Sequence, residues 1–134
     1  MRSVEARARS RAANVVPVAV LLLGLGACGD EGPVSAPGTL TASVVSPNGA
    51  EGGALVILVG QGIGAIGPSD EGRVFSQAHG DTLRVVVVNV AGGALRFTIQ
   101  VTDTTRPPTG TLVEVSGSDD GIRSLSGYKV EIRP

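Results

Sequence analysis

Between positions 95 and 102 the chain alternates without a slip: Leu95, Phe97, Ile99 and Val101 are apolar, and Arg96, Thr98, Gln100 and Thr102 are polar. A β-strand turns successive side chains to opposite faces, so this run has one side for a core and one for water. Near the C-terminal end Tyr128, Val130 and Ile132 oppose Lys129, Glu131 and Arg133 in the same way. From Thr39 onward no helical period is found. β-rich runs occupy 39–46, 54–60, 73–77, 82–90, 94–102, 111–116 and 127–133, divided by Gly, Pro, Asn and Asp. Valine and threonine dominate them, and a branched β-carbon packs well on a pleated surface. The expectation is an all-β domain over 39–134.

A count of about seven short strands in such a length suits an antiparallel, immunoglobulin-like sandwich. The pair of runs around Ala91-Gly92-Gly93 reads as a hairpin with a bulge, setting Val87 opposite Phe97. In that register Leu83, Val85, Phe97 and Ile99 share the core face and Arg84 points outward. A plain two-residue turn would bury the Arg84 guanidinium unpaired, at a cost of several kcal/mol. The bulged register leaves Val86, Val88 and Val90 on the other face, which is either a central strand's second buried side or a contact surface.

Charge divides the chain. Residues 1–27 carry a net charge of +3 and residues 28–134 a net of −4. Residues 2–11 are basic, Val15 to Ala27 form an apolar run of 13 residues, and small residues lead into Cys28. A membrane-spanning helix needs about 20 apolar residues, so this run fits the hydrophobic part of a secretory signal. Leu25-Gly26-Ala27-Cys28 resembles the lipobox of bacterial lipoproteins. The resemblance implies a signal helix cleaved after Ala27 and a membrane anchor on an acylated Cys28. Cys28 is the only cysteine and has no internal disulfide partner. Gly29 rather than Asp follows it, which in Gram-negative relatives favours the outer over the inner membrane. Residues 28–38 are rich in Gly and Pro and read as a flexible tether with a reach of roughly 30 Å.

Several residue groups invite a chemical reading. Gly62, Gly64 and Gly67 have the spacing of a dinucleotide fingerprint, and Asp81 lies at a suitable distance beyond. The fingerprint needs a helix N-terminus behind the glycines to receive pyrophosphate. Pro68-Ser69-Asp70-Glu71-Gly72 begins no helix and adds two carboxylates there. The stretch therefore reads as a flexible inter-strand loop, and no cofactor is expected. His79, the sole histidine, sits in a turn; an enzyme would need a cleft joining it to an acid and a hydroxyl. Asp119-Asp120-Gly121 reads as a turn rather than a calcium loop, since D-x-D-x-D-G is missing. Asp70-Glu71 reads as a solvated pair. Zinc lacks ligands, and a net-acidic body with few aromatics does not suit nucleic acid. Phe75 and Tyr128 are the conceivable sugar-stacking platform, with Phe97 internal and Tyr128 packing with its hydroxyl at the rim.

The stretch from Leu83 through "GGALRFTIQV" to "SGYKVEI" is similar to the last strands of cohesin-like β-sandwiches. That resemblance implies a non-catalytic protein-interaction module and transfers no site residue. The expected function is a lipid-anchored, non-enzymatic envelope domain contacting another protein, with polysaccharide or small-ligand binding as the alternative.

Overall fold

The computed structural model describes residues 32–69 and 72–134; the expected leader 1–27, Cys28 and the Asp70-Glu71 pair lie outside the described residues. Residues 32–37 are exposed and without regular secondary structure. The Thr104 amide donates to the Ala36 carbonyl at 2.9 Å, which pins this segment just before the first strand. Eight strands follow: β1 (Gly38–Val45), β2 (Glu51–Val59), β3 (Ile63–Pro68), β4 (Arg73–His79), β5 (Thr82–Gly93), β6 (Leu95–Val101), β7 (Thr109–Ser116) and β8 (Lys129–Arg133).

The strands form two antiparallel sheets, ordered β3-β6-β1-β8 and β4-β5-β2-β7. Their inner faces meet in one core. Leu40, Ala42, Phe97 and Ile99 come from the first sheet, and Val56, Leu58, Val85, Val87 and Val115 from the second. The domain is an all-β sandwich, with eight strands rather than about seven. Phe97 is wholly buried, as its place in the alternating run requires. Burying such a side chain contributes about 1.5–3 kcal/mol.

Pairing is nested. β1 lies beside β8, β2 beside β7, β3 beside β6 and β4 beside β5. The chain is thus one long hairpin folded back at Gly80-Asp81, with successive rungs placed in alternate sheets. The β1–β6 and β2–β5 ladders join the rungs within each sheet.

Two expectations are corrected. The first is the hairpin between 82–90 and 94–102. β5 pairs with β4 and β2, whereas β6 pairs with β1 and β3, so the two runs lie in opposite sheets. Beyond the Val88–Gly53 pair β5 bulges, rejoins β2 at Gly93–Glu51, and then crosses over through Ala94. Gly92 takes a φ of 75° in this bulge, a backbone state that glycine adopts without a Cβ penalty. Leu83, Val85, Phe97 and Ile99 do face the core and Arg84 does face outward. They meet across the sandwich rather than side by side. Alternation reports a residue's face and not its neighbouring strand.

The second correction concerns Gly62, Gly64 and Gly67. Rather than a flexible loop, most of this stretch is β3, an edge strand on β6. Gly62 has a φ of 68°, and its carbonyl accepts the Thr102 amide at 3.0 Å. A Cβ on Gly62 would fall 1.9 Å from Thr102 Oγ1, and one on Gly67 would fall 3.1 Å from Thr98 Oγ1. The glycine spacing follows the outward side chains of β6, past which the backbone of β3 runs closely.

Candidate functional site

The two outer faces of the sandwich differ in chemistry. On the β3-β6-β1-β8 sheet, Arg133 is level with Thr41 and Thr98, and Glu131 with Ser43 and Arg96. That face is mainly polar, with Val45 beside Lys129 and glycine at the β3 edge. On the β4-β5-β2-β7 sheet, Phe75 is level with Val86 and Leu55. Ile57 stands in the next outward row beside Arg84, and Val113 is exposed at the bulge of β7. Phe75 keeps 60% of its surface in contact with solvent.

This apolar strip arises from how β2 and β5 are built. Both are central strands whose inward residues Ala54, Val56, Leu58, Val85 and Val87 are buried. Their outward residues Leu55, Ile57, Val86 and Val88 are also branched and apolar, as in strands covered on both sides. Among the described residues nothing covers them. Val86 and Val88 lie on this open face, while Val90 projects from the bulge with 83% of its surface exposed. The expectation of a central strand holds for the ladder, and the outer face is nevertheless open.

A second constellation sits where β2 begins. Glu51 is buried to 1% exposure, a rare place for a carboxylate. Tyr128 donates its hydroxyl to Glu51 Oε1, and Ser46 Oγ donates to the same oxygen at 2.7 Å. Arg123 Nε lies 3.5 Å from Glu51 Oε2, and Arg123 Nη2 donates to Asp119 Oδ1 at 3.0 Å. Asn48 Nδ2 donates to the Tyr128 hydroxyl at 2.8 Å. Burial pushes the Glu51 carboxyl up, but the hydrogen bonds from Tyr128, Ser46 and Arg123 outweigh it and hold the group below its ordinary value. Every polar atom of Glu51 is thus engaged, which suits a structural clasp between the β1–β2 turn and the segment leading into β8. Sequence reasoning missed it. Glu51 lies in the Gly-rich gap between the runs 39–46 and 54–60, and its partners Arg123 and Tyr128 are more than 70 positions away.

The remaining singled-out residues disperse. His79 ends β4, and its carbonyl accepts the Thr82 hydroxyl at 2.8 Å across the hairpin turn that holds Asp81. Asp119, Asp120 and Gly121 form a tight turn in which the Gly117 amide donates to the Gly121 carbonyl at 2.9 Å. Asp120 there has a φ of 60°. Asp119 Oδ1 accepts hydrogen bonds from Arg123 Nη2 and from the Gly121 amide. Phe75 stands on an outer face while the Tyr128 hydroxyl is committed to Glu51, so the two form no common stacking platform. Among the described residues, no three His, Cys, Asp or Glu side chains gather to hold a metal. No family model, curated protein or solved structure matches the chain.

Proposed function

We propose that this chain is a lipid-anchored, non-catalytic sandwich of the bacterial cell envelope. It is held to the membrane through Cys28 and contacts another protein through the outer face of the β4-β5-β2-β7 sheet. The observation that carries the surface is the open apolar row Phe75–Val86–Leu55 with Val113 nearby, flanked by Arg84 and Glu114, whereas the opposite outer face is mainly threonine, serine and charge. Contiguous apolar surface with a polar surround is what a protein contact uses. The anchor rests on the order of basic head, apolar run and Leu25-Gly26-Ala27-Cys28. Acyl chains stabilise membrane attachment by about 0.8 kcal/mol per buried methylene. With Gly29 after the cysteine, the outer membrane is favoured over the inner in a Gram-negative cell.

The finer fold class belongs to the same proposal. In an immunoglobulin constant domain the second, fifth and fourth strands adjoin in one sheet, and the third and sixth in the other. The neighbours β2-β5-β4 and β3-β6 repeat that arrangement. The first and seventh strands are exchanged between sheets, and the nested pairing supports a rolled variant of the sandwich class to which the cohesin-like resemblance points.

Two substitutions test the reading separately. Cys28→Ser is expected to release the protein from the membrane fraction or leave it at its unprocessed mass. Unchanged fractionation together with unchanged mass removes the anchor. Val86→Asp is expected to abolish crosslinking to neighbouring proteins on intact cells while leaving the β-sheet circular dichroism signal intact. An unchanged crosslink pattern removes the surface. The alternative, a polysaccharide site at Phe75, predicts signal on a glycan array that Phe75→Ala erases; a blank array disposes of it.

A further inference from the structure

Asparagine or aspartate followed by glycine can close on itself. The glycine amide nitrogen attacks the side-chain carbonyl carbon, and glycine alone has no Cβ to obstruct that approach. The sequence holds two such pairs, Asn48-Gly49 and Asp120-Gly121. In the second the nucleophile is engaged, since the Gly121 amide donates to Asp119 Oδ1 at 3.2 Å. In the first, Asn48 and Gly49 are exposed in the turn between β1 and β2, and among the described residues no acceptor holds the Gly49 amide. Space around Gly49 is open, with nothing within 4 Å of where a Cβ would stand. The same asparagine is tied into the clasp. Its Nδ2 donates to the Tyr128 hydroxyl, which donates in turn to Glu51.

We propose that Asn48 is a site of spontaneous deamidation, and that the reaction loosens the clasp around Glu51. The Gly49 nitrogen bonds to Asn48 Cγ and gives up its proton, the Cγ–Nδ2 bond breaks, and ammonia departs from a succinimide ring. Water then opens the ring at either carbonyl, giving aspartate or isoaspartate; nothing is oxidised or reduced. Aspartate replaces the amide donor with a carboxylate facing the Tyr128 hydroxyl. That hydroxyl has a single proton, and Glu51 already takes it. Two carboxylates are then set against one phenol oxygen, and like charges so close destabilise each other. Isoaspartate removes the donor as well and adds a backbone carbon to a turn that packs on the segment before Tyr128, where a Cβ on Gly127 would stand 3.3 Å from Pro47 Cγ. Loss of ammonia makes the change irreversible, so the clasp weakens with the age of the chain. This site is independent of the lipid anchor and of the apolar face.

The test uses the full chain, purified in mild detergent and aged at mildly alkaline pH, where the amide nitrogen loses its proton more readily. Peptide mass mapping is expected to show the mass gain of NH2 replaced by OH at Asn48. The gain should come roughly tenfold sooner there than at Asn89, which is followed by Val90 with its branched, obstructing Cβ. Gly49→Ala is expected to suppress it. The aged, more acidic form, separated by anion exchange, should unfold at lower urea than the fresh chain. Asn48→Asp installs one product directly and should show a similar drop. In a Glu51→Gln background most of that drop should vanish, because the second carboxylate is gone. Deamidation at Asn48 no faster than at Asn89 overturns the site. An Asn48→Asp midpoint equal to that of the wild type, or a drop unchanged by Glu51→Gln, overturns the link to the clasp.

Discussion

Glu51 shows how much a single buried carboxylate can organise. Removing its charge while keeping its shape, as in Glu51→Gln, leaves Arg123 and Tyr128 facing a neutral amide. Loss of one charge-assisted hydrogen bond costs about 2 kcal/mol, so the urea midpoint is expected to fall while the slope stays constant. Acid should act at the same place. The folded pKa of Glu51 lies below its ordinary value of 4.5, so the group contributes stability above that value and loses it as the pH drops through the folded one. Asp103, hydrogen-bonded by the Thr105 hydroxyl and amide, and Glu131, hydrogen-bonded by Lys129, are shifted in the same direction. Stability is therefore expected to be level near neutrality and to decline once the pH passes below the ordinary carboxylate range. Measuring the urea midpoint from neutral to acid pH checks this. A wild-type curve no steeper than that of Glu51→Gln would contradict the role of the clasp.

At the scale of elements, β3 carries the sharpest lesson. Its glycines exist so that an edge strand can lie close against the threonine side of β6. Gly62→Ala meets two obstacles, a left-handed φ of 68° and an overlap with Thr102 Oγ1. Gly49→Ala meets only the first, since its φ is 87° and nothing stands within 4 Å of its Cβ. The left-handed state alone costs about 1–2 kcal/mol for a non-glycine residue. Gly49→Ala is expected to lose about that much in thermal or urea unfolding, and Gly62→Ala measurably more. Equal losses would mean that β3 can move away from β6 at no cost. The same element explains why the glycine spacing misleads: it was legible as unusual, but close backbone approach and phosphate binding both ask for glycine. What separates them is the element that follows, and here that element is a strand.

The sandwich as a whole is closed by contacts distant in sequence. β1 pairs with β8 and β2 with β7, so each sheet is complete only when a strand from the first part of the domain finds one from the last. Loop closure has to precede those contacts, and sandwiches of this kind fold slowly. Refolding of the domain is expected on a timescale of milliseconds to seconds, as stopped-flow fluorescence of Tyr128 would show. Completion within microseconds would contradict a rate set by nested long-range pairing.

The sequence by itself determined strand character in the alternating and valine-rich runs, and the facing of the alternating ones, but not the strand β3. Leu95 to Val101 alternate with a period of two, so Phe97 inside was legible from the local pattern. Arg84 does face outward, but the hairpin register that implied it does not exist; what keeps it outside is the cost of burying its charge. Only the tertiary structure decided which strands are neighbours, that β5 and β6 belong to opposite sheets, and that Glu51 is enclosed by Tyr128, Ser46 and Arg123. Backbone donors and acceptors are alike in every strand, so a ladder's partner is chosen by the closing of the whole core rather than by the residues of either strand alone.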